Sequence, residues 1–426
     1  MFKNKNIFTI VTMVLLAIMP VYVISSLFLT NIIGIPGAGF FLKEFLLVVL
    51  FGSLVWEYWK AKKLPKFDKL DYLIFAFIGY GIIITLVNGL GLKSIIYGGR
   101  YDFMFLIVML IYKHSGTFLQ ATKEELIKVF LISGGISLFL AILFKFTMKE
   151  EFLVNFGFVN YQGNWTFEGG VPNYHGLEGT GMRRFQGVFD GPNQMAYFLI
   201  LFSGLFLYLQ KNKNQYYVWL FGGLMLLFLF LTYSRSAFLG TATAIGLLIL
   251  SQAKYLFVHY KKYFIIIITC LFLVCSTSMY LFRDTLNNII FRHGSTKGHI
   301  DRMIVGVERF TQKPLGAGLA ESGPAYRAIY PEKQTKDDEY FYIPESWYIQ
   351  LLTEGGVIYF SLFFAIIGIL LWELYKESKV VFASFVAILV MNIFLHIFEA
   401  SYLSISLFLF IGLFIKKNYN SGVTQK

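Results

Sequence analysis

Charged residues are scarce in this chain, and their scarcity argues against a soluble globular protein. Asp, Glu, Lys and Arg make up only 15% of the 426 residues, whereas a soluble domain carries about 25%. Hydrophobic residues reach 57%, and the mean hydropathy is +0.63. The composition therefore predicts an all-α polytopic membrane protein.

Cysteines, metal-ligand patterns and nucleotide-binding loops are also rare or missing. The two cysteines, Cys270 and Cys275, lie in one apolar run, so we expect no disulfide. We find no Cys/His metal spacing, no paired-carboxylate metal site and no Walker loop, which predicts a protein without metal, cofactor or direct use of ATP. The net charge of +12 is spread over short Lys and Arg clusters between apolar runs, and this pattern forms no face for nucleic acid.

Long apolar runs are what the sequence has instead. A membrane-spanning helix needs about 20 apolar residues, and we predict twelve spans, some of them short. The first run is too long for the core of a signal peptide, so we expect it to remain as a helix. His396 and Glu399, one turn apart in the eleventh run, are expected to make polar contacts within the bundle. The runs lie near residues 7–29, 38–58, 70–90, 97–112, 126–146, 192–209, 216–233, 236–252, 263–282, 347–372, 380–398 and 401–415.

Lysine clusters fall on alternate connections between these runs. With the N-terminus inside, the clusters lie on the cytoplasmic connections, and the outer connections after the first and eleventh runs carry no Lys or Arg. Because cytoplasmic loops are enriched in Lys and Arg, we expect both termini in the cytoplasm. The chain then divides into residues 1–282 with nine helices and an outer loop at 149–191, a large outer loop at 283–346 between the ninth and tenth helices, and residues 347–426 with three helices and a cytoplasmic tail.

Arginine is the prominent basic residue of the predicted outer connections. Arg235 lies between two unbroken apolar runs, where a guanidinium is costly unless it reaches water or an anion. We interpret Arg235 as a site residue, with a snorkelling Arg at a lipid headgroup as the alternative. The guanidinium fork binds phosphate oxygens in pairs, which favours a phosphate-bearing ligand. Further arginines on the outer connections are Arg184, Arg292, Arg302 and Arg309.

The large outer loop contains a predicted amphipathic helix. Apolar residues in 299–310 are spaced for one helical face, which leaves Arg302 and Arg309 off the apolar stripe. We expect this helix to lie on the membrane or over the bundle. Gly316 and Gly318 follow it, and we expect them to turn the backbone beside a ligand.

Two predicted helix starts carry polar candidates. Arg184 precedes Pro192 and Asn193, and Pro192 suits the first position of a helix, so Arg184 belongs either to the site or to a solvated loop. Glu345 opens the tenth run, where a carboxylate either favours the helix dipole or acts as a general base. Trp347 is one of several outer aromatic residues suited to stack on a sugar ring.

Four sequence blocks stand in order on these connections: RRFQGVFDGPNQMAYF, the Thr-Tyr-Ser-Arg-Ser turn, DRMIVGVERFTQKPLGAGLAES and ESWYIQLLTEGGV. Together they resemble the O-antigen ligase and Wzy-type polysaccharide polymerase superfamily. The resemblance implies an inverting, metal-independent, GT-C-like membrane glycosyltransferase. Such enzymes move a glycan from a polyprenyl diphosphate carrier to an acceptor on the outer face of the bacterial cytoplasmic membrane.

Carried over residue by residue, the resemblance places Arg235 and Arg302 on the diphosphate. It assigns Arg184 and Asn193 to the Arg-x-x-Gly and Pro-Asn positions of the family. Ligases usually have His-Asn at the start of the last block, whereas this chain has Glu345-Ser346, which favours the polymerases. The leaving diphosphate needs cations and the acceptor hydroxyl needs a base, for which Glu345 is the candidate.

The leading hypothesis is a polymerase that extends one lipid-linked repeat unit with another. The alternatives are a ligase that transfers the glycan to a surface acceptor and a flippase that only binds the anionic lipid. The large outer loop favours an enzyme, because an alternating-access carrier has less use for it. The expected partners are a polyprenyl-diphosphate-linked oligosaccharide and membrane lipid, with chain-length regulator and flippase proteins as further candidates.

Overall fold

A computed structural model describes residues 5–35, 38–116, 118–147, 175–176, 183–210, 215–251, 293–330 and 343–416. Within these ranges the chain is helical and forms no β-strand beyond an isolated bridge between Gly176 and Arg183. The ninth predicted span, both cysteines and Arg292 lie outside the described residues.

The described helices follow the predicted runs closely at most of their ends. They are α1 (Ile7–Ile18), α2 (Tyr22–Leu27), α3 (Ala38–Lys60), α4 (Lys69–Val87), α5 (Leu92–Asp102), α6 (Met104–Lys113), α7 (Lys123–Phe146), α8 (Pro192–Leu209), α9 (Gln215–Leu231), α10 (Arg235–Ser251), α11 (His293–Gln312), α12 (Gly323–Ile329), α13 (Trp347–Glu377), α14 (Lys379–Met391) and α15 (Ser401–Ile415).

Several of these helices are long and apolar enough to cross a membrane. Five described spans pass that test, or six if the bent pair α5 and α6 counts as one. The apolar helices α9, α10, α14 and α15 are shorter. Large apolar side chains such as Phe45, Trp59, Trp219 and Trp372 are exposed on the bundle, as expected where lipid replaces water. The architecture is that of a polytopic membrane protein, and the total of twelve spans stays a prediction.

Two predicted runs are broken in the structure. The fourth run is two helices, because α5 and α6 meet at a bend of 58° around Phe103. The eleventh run stops early: α14 ends at Met391, so the prediction that His396 and Glu399 lie on one helix is wrong. Asn392 explains the stop, since its side-chain amide donates to the Ile388 carbonyl and its own carbonyl accepts from the Trp347 N–H. An Asn that binds backbone in this way competes with helix continuation.

Polar residues fix several helix starts. Asp68 and Asp71 form a capping box at α4, and Thr122 and Glu125 form another at α7. Pro192 occupies the start of α8 as predicted, and Gly191 precedes it as the cap residue without a side-chain bond.

The centre of the bundle is the last helix. All residues of α15 from Tyr402 onward are buried, which is the pattern of a helix surrounded by others. Its closest neighbour is α6, and a Cβ at Gly412 would lie 2.5 Å from the Met109 carbonyl. A glycine is therefore needed there, because the two helix backbones approach closely.

The connections between helices gather at two ends of the bundle. At one, which we call the Lys113 end, Lys113 contacts Asp68 and Asp71, and Asn6 contacts Glu57. The other, which we call the Glu345 end, collects the segments 85–92, 183–191, 232–234, 313–323, 343–346 and 392–402, which hydrogen-bond or pack against one another. The prediction that alternate connections share a side agrees with this division.

Candidate active site

Glu345 lies immediately before the first turn of α13 in a strained backbone conformation. Its φ of 53° falls in the left-handed region, which costs a non-glycine residue roughly 1–2 kcal/mol. The N–H of Trp347 donates to the carbonyls of Asn392 and Leu395, so the start of α13 is tied to the connection between α14 and α15. This network holds the Glu345 carboxylate in a fixed place at the mouth of the helix.

Helix α11 lies against this mouth. His299, Arg302 and Gly306 follow one another at helical spacing on one face, and Gly306 packs so closely that a Cβ would lie 2.7 Å from Pro344. The predicted apolar stripe, represented by Ile300, is on the exposed side. The predicted amphipathic helix is therefore confirmed, and its polar face is the one that meets α13.

The Glu345 carboxylate contacts a guanidinium and an imidazole of α11. Arg302 Nη1 donates to Glu345 Oε1, and His299 Nδ1 lies 3.0 Å from Glu345 Oε2. The Glu345 side chain is only 12% exposed, whereas that of His299 is 36% exposed. Of the predicted site residues, Arg302 and Glu345 are thus brought together directly.

These partners determine the pKa of the Glu345 carboxyl group. Burial alone would raise the pKa of Glu345, but the neighbouring His299, His396 and Arg302 side chains lower it to about 2. The contacts with Arg302 and His299 outweigh the loss of water, so the carboxyl group stays ionised and is a weak base.

The glycines after α11 let the chain pack closely against its neighbours. Gly316 packs against the backbone of α13, where Gly356 has a φ of 66° and interrupts the helix, whereas a Cβ at Gly318 would contact Leu90 and Thr85. The N–H of Gly318 donates to the Glu354 carbonyl, and the Pro314 carbonyl accepts from the Val357 N–H. Both glycines have a φ of 108°, as a tight turn requires, and their place beside a ligand stays a prediction. In addition, the Glu354 carboxylate accepts from the N–H groups of Ala320 and Ser322.

Arg309 lies farther along the same face of α11. Its Nη1 donates to the Glu321 carbonyl at 3.4 Å, and its guanidinium lies 5.9 Å from the Tyr326 ring centroid. Tyr330 donates its hydroxyl to the Glu321 carboxylate at 2.8 Å. This group forms a mixed aromatic and charged surface beside the Arg302 position, of a kind that suits a sugar phosphate.

The turn between α9 and α10 presents Arg235. Arg235 is the first residue of α10, two residues after Tyr233, whose φ of 51° is also left-handed. Arg184 holds this turn: its Nε donates to the Thr232 carbonyl at 2.8 Å and its Nη2 to the Tyr233 carbonyl at 3.2 Å. Arg184 is thus placed to shape the turn that carries Arg235. Asn193 lies in the first turn of the neighbouring helix α8.

Trp347 lies in surroundings that differ from those expected. It is fully buried, and its ring packs edge-on against Phe105, Phe363 and Phe398. No sugar can reach a ring in that position, so Trp347 supports α13 from within the core.

Sequence reasoning missed two histidines beside Glu345. His299 lies one helical turn before Arg302 on the same face of α11. The spacing that predicts Arg302 to lie off the apolar stripe therefore also predicts this for His299. His396 belongs to the connection after α14, and only the folded chain brings it next to Glu345. Burial lowers the pKa of His396 to about 4, opposed by Glu345 and assisted by His299 and Arg302.

Residues 220–364 match the family model described as O-antigen ligase. The superfamily resemblance is thereby confirmed. The matched region includes α10, α11 and the start of α13, and so it contains Arg235, Arg302 and Glu345, whereas Arg184 and His396 lie outside it. No curated protein sequence matches the chain. The family indicates a membrane enzyme of surface-polysaccharide assembly that acts on a lipid-linked oligosaccharide.

Proposed function

We propose that this protein is a polymerase that joins polyprenyl-diphosphate-linked oligosaccharide repeat units into a surface polysaccharide. The observation that carries the proposal is the contact between Arg302 and Glu345 at the mouth of α13. It puts a cation suited to a diphosphate beside the carboxylate that precedes α13. Both groups lie on segments that match the O-antigen ligase family.

In the proposed reaction, Arg302 and Arg235 bind the diphosphate of the donor. Their guanidinium groups compensate the negative charge that develops as the bond between the sugar and the phosphate breaks. Arg309 and Asn193 extend the binding surface, and Arg184 holds the Arg235 turn. Glu345 belongs to the acceptor side, where a hydroxyl must lose its proton. The reaction needs no metal, because the cationic side chains take the place that a divalent ion has in other transferases.

The proposal includes a location and an acceptor. The site lies at the outer face of the bacterial cytoplasmic membrane, with the Lys113 end in the cytoplasm, as the Lys clusters favour. Glu345-Ser346 at the start of the last block supports a polymerase, in which the acceptor is a second lipid-linked repeat unit. A chain-length regulator and a flippase are proposed as partners of the assembly.

The test is a reconstituted assay in which purified protein in nanodiscs receives lipid-linked repeat units and the products are resolved as a glycan ladder. We expect Arg235→Ala and Arg302→Ala each to lower the rate by ~10²–10³. Lys at either position should restore the rate only in part, since it lacks the bidentate fork. Lys297→Ala, an exposed cation on the same helix as Arg302, is the matched control and should polymerise normally.

Other results would contradict the proposal. Normal ladders from Arg302→Ala would assign that residue a structural role, and a requirement for a divalent ion would exclude the metal-independent reaction. If the wild-type protein moves lipid-linked monomer between leaflets without making a ladder, the protein is a flippase. If the glycan appears only on an acceptor other than the lipid carrier, it is a ligase.

A further inference from the structure

The Glu345 carboxylate connects two side chains with different chemistry. Its Oε1 accepts from Arg302 and its Oε2 lies 3.0 Å from His299 Nδ1. The two partners are one helical turn apart on α11 and therefore project from the same face. A single carboxylate thus positions a guanidinium and an imidazole side by side.

We propose that His299 accepts the proton of the acceptor hydroxyl and that Glu345 is its positioning residue. This inference rests on the proposed function and identifies the atom at which its acid–base step occurs. Glu345 Oε2 lies 3.0 Å from His299 Nδ1, and a carboxylate this close favours the tautomer with the hydrogen on Nδ1. The lone pair is then on Nε2, at the other side of the ring, where an acceptor hydroxyl can approach.

Exposure and charge both favour His299 over Glu345 as the proton acceptor. The His299 side chain is 36% exposed and that of Glu345 only 12%. Both Glu345 oxygens already have a nitrogen of α11 beside them, and the neighbouring side chains hold the pKa of the carboxyl at about 2, which makes it a weak base. Histidine is the side chain most often used as a general base.

His396 is the competing imidazole. It belongs to the connection between α14 and α15, and the charged or titratable groups facing it are Glu345, His299 and Arg302. Burial lowers its pKa to about 4, so it stays neutral and binds a proton poorly at neutral pH. His299 is therefore the better placed of the two imidazoles.

The proposed step balances without any further reactant. The acceptor O–H bond breaks and its proton goes to His299 Nε2, while the oxygen forms a bond to the anomeric carbon of the donor sugar. The bond from that carbon to the phosphate oxygen breaks, and the diphosphate leaves with the electron pair beside Arg302. Glu345 stabilises the imidazolium, which then releases its proton to water.

The test uses the reconstituted enzyme and three readouts. We expect His299→Ala to lower kcat by ~10²–10⁴ with little change in KM for the lipid-linked donor. Added imidazole should restore part of the rate, because it supplies the missing base. Glu345→Gln should lower kcat with little change in KM for the donor, since the imidazolium loses its stabilising carboxylate. Asp301→Asn, exposed and two residues away, is the control and should keep the wild-type kcat and KM.

The inference is overturned if His299→Ala transfers within a few-fold of the wild-type rate. It is also overturned if the variant is folded and inactive but added imidazole restores no activity. Failure of the proposed function looks different, because the wild-type protein would then form no glycosidic product at all. Gel filtration and thermal unfolding of each variant separate lost chemistry from lost folding.

Discussion

The two ends of the bundle differ in how their buried polar and charged side chains are paired. At the Lys113 end, Lys113 Nζ lies 2.7 Å from Asp68 and 2.6 Å from Asp71, and His114 Nε2 lies 3.0 Å from Asp71. At the Glu345 end, buried polar atoms lack a hydrogen-bond partner, among them His396 Nε2 and Glu399 Oε1. Unsatisfied buried groups cost free energy and need a reason. The buried charges of the Lys113 end are paired within the protein, whereas these buried polar atoms of the Glu345 end are not.

The backbone shows the same contrast. Among the described non-glycine residues with positive φ, Tyr233, Ala320 and Glu345 belong to the Glu345 end and Lys62 to the opposite side. Such conformations persist only where the surrounding structure enforces them, and they cluster at functional sites. Strained backbone conformations and buried polar atoms without a hydrogen-bond partner therefore occur in the same part of the molecule, the part that carries the candidate site.

The largest expected effect is a loss of stability when the ion pairs of Lys113 are removed. Lys113→Met leaves Asp71, which is fully buried, without its main cation. Removing one partner of a buried pair costs about 3–5 kcal/mol, so we expect a clear fall in the unfolding temperature in detergent. The rate of glycan transfer per folded molecule should not change, because the site is at the other end.

The control for this variant is Lys376→Met. Lys376 pairs with Glu373 at 3.4 Å on the surface, and its side chain is 51% exposed, so its loss should cost about 0–1 kcal/mol. If both variants unfold at the same temperature, the Lys113 network is not the stabilising element that its geometry indicates.

The Lys113 network shows what the sequence could and could not predict. Hydropathy predicted the spans because length and apolarity depend on one segment at a time. Lys113 was interpreted only as a cytoplasmic charge, since its partners on α4 are more than forty residues away in the chain. The same limit explains why Arg302 and Glu345 were both named as candidates although the ion pair between them, and its effect on the carboxyl pKa, came only from the fold.

The positions at which helices bend or end are the second feature that the sequence could not predict. Run length cannot reveal the bend at Phe103 or the end of α14 at Met391, because apolar residues continue through both. The kink at Gly356 depends on the Pro314 carbonyl, which binds the Val357 N–H from another segment. Tertiary hydrogen bonds decide these positions, and they override the local helical preference.

A smaller loss of stability is expected when Glu345 is replaced, and the size of this loss depends on pH. The folded state lowers the pKa of this carboxyl from 4.5 to about 2, which corresponds to about 3 kcal/mol of stability. Because the folded pKa is the lower one, this stability is present above pH ~4.5 and is lost as the pH falls toward ~2. Glu345→Gln should therefore be less stable than wild type at pH 7, with a gap that narrows at acid pH.

Thermal unfolding of both proteins between pH 7 and pH 3 measures this gap. Asp301→Asn, an exposed carboxylate on α11, should show no comparable change with pH. A gap that stays constant over the whole range would mean that the ion pairs of Glu345 do not stabilise the fold.

The smallest effect is expected at Arg184, which holds the turn before Arg235. Arg184→Lys keeps the positive charge near the end of α9, where a cation interacts favourably with the helix dipole. It loses the fork that donates to both Thr232 and Tyr233, because an ammonium group cannot reproduce that planar geometry. We expect a cost of about 1 kcal/mol and a several-fold lower transfer rate, since Tyr233 no longer fixes the start of α10 and Arg235 moves relative to the diphosphate.

Arg183→Lys, the same change at the neighbouring position, should have less effect on the rate, because the bond from Arg183 to the Phe144 carbonyl is long, at 3.4 Å. Equal rates for the two variants would show that the turn keeps its shape without Arg184 and that the strained conformation of Tyr233 is enforced by other contacts.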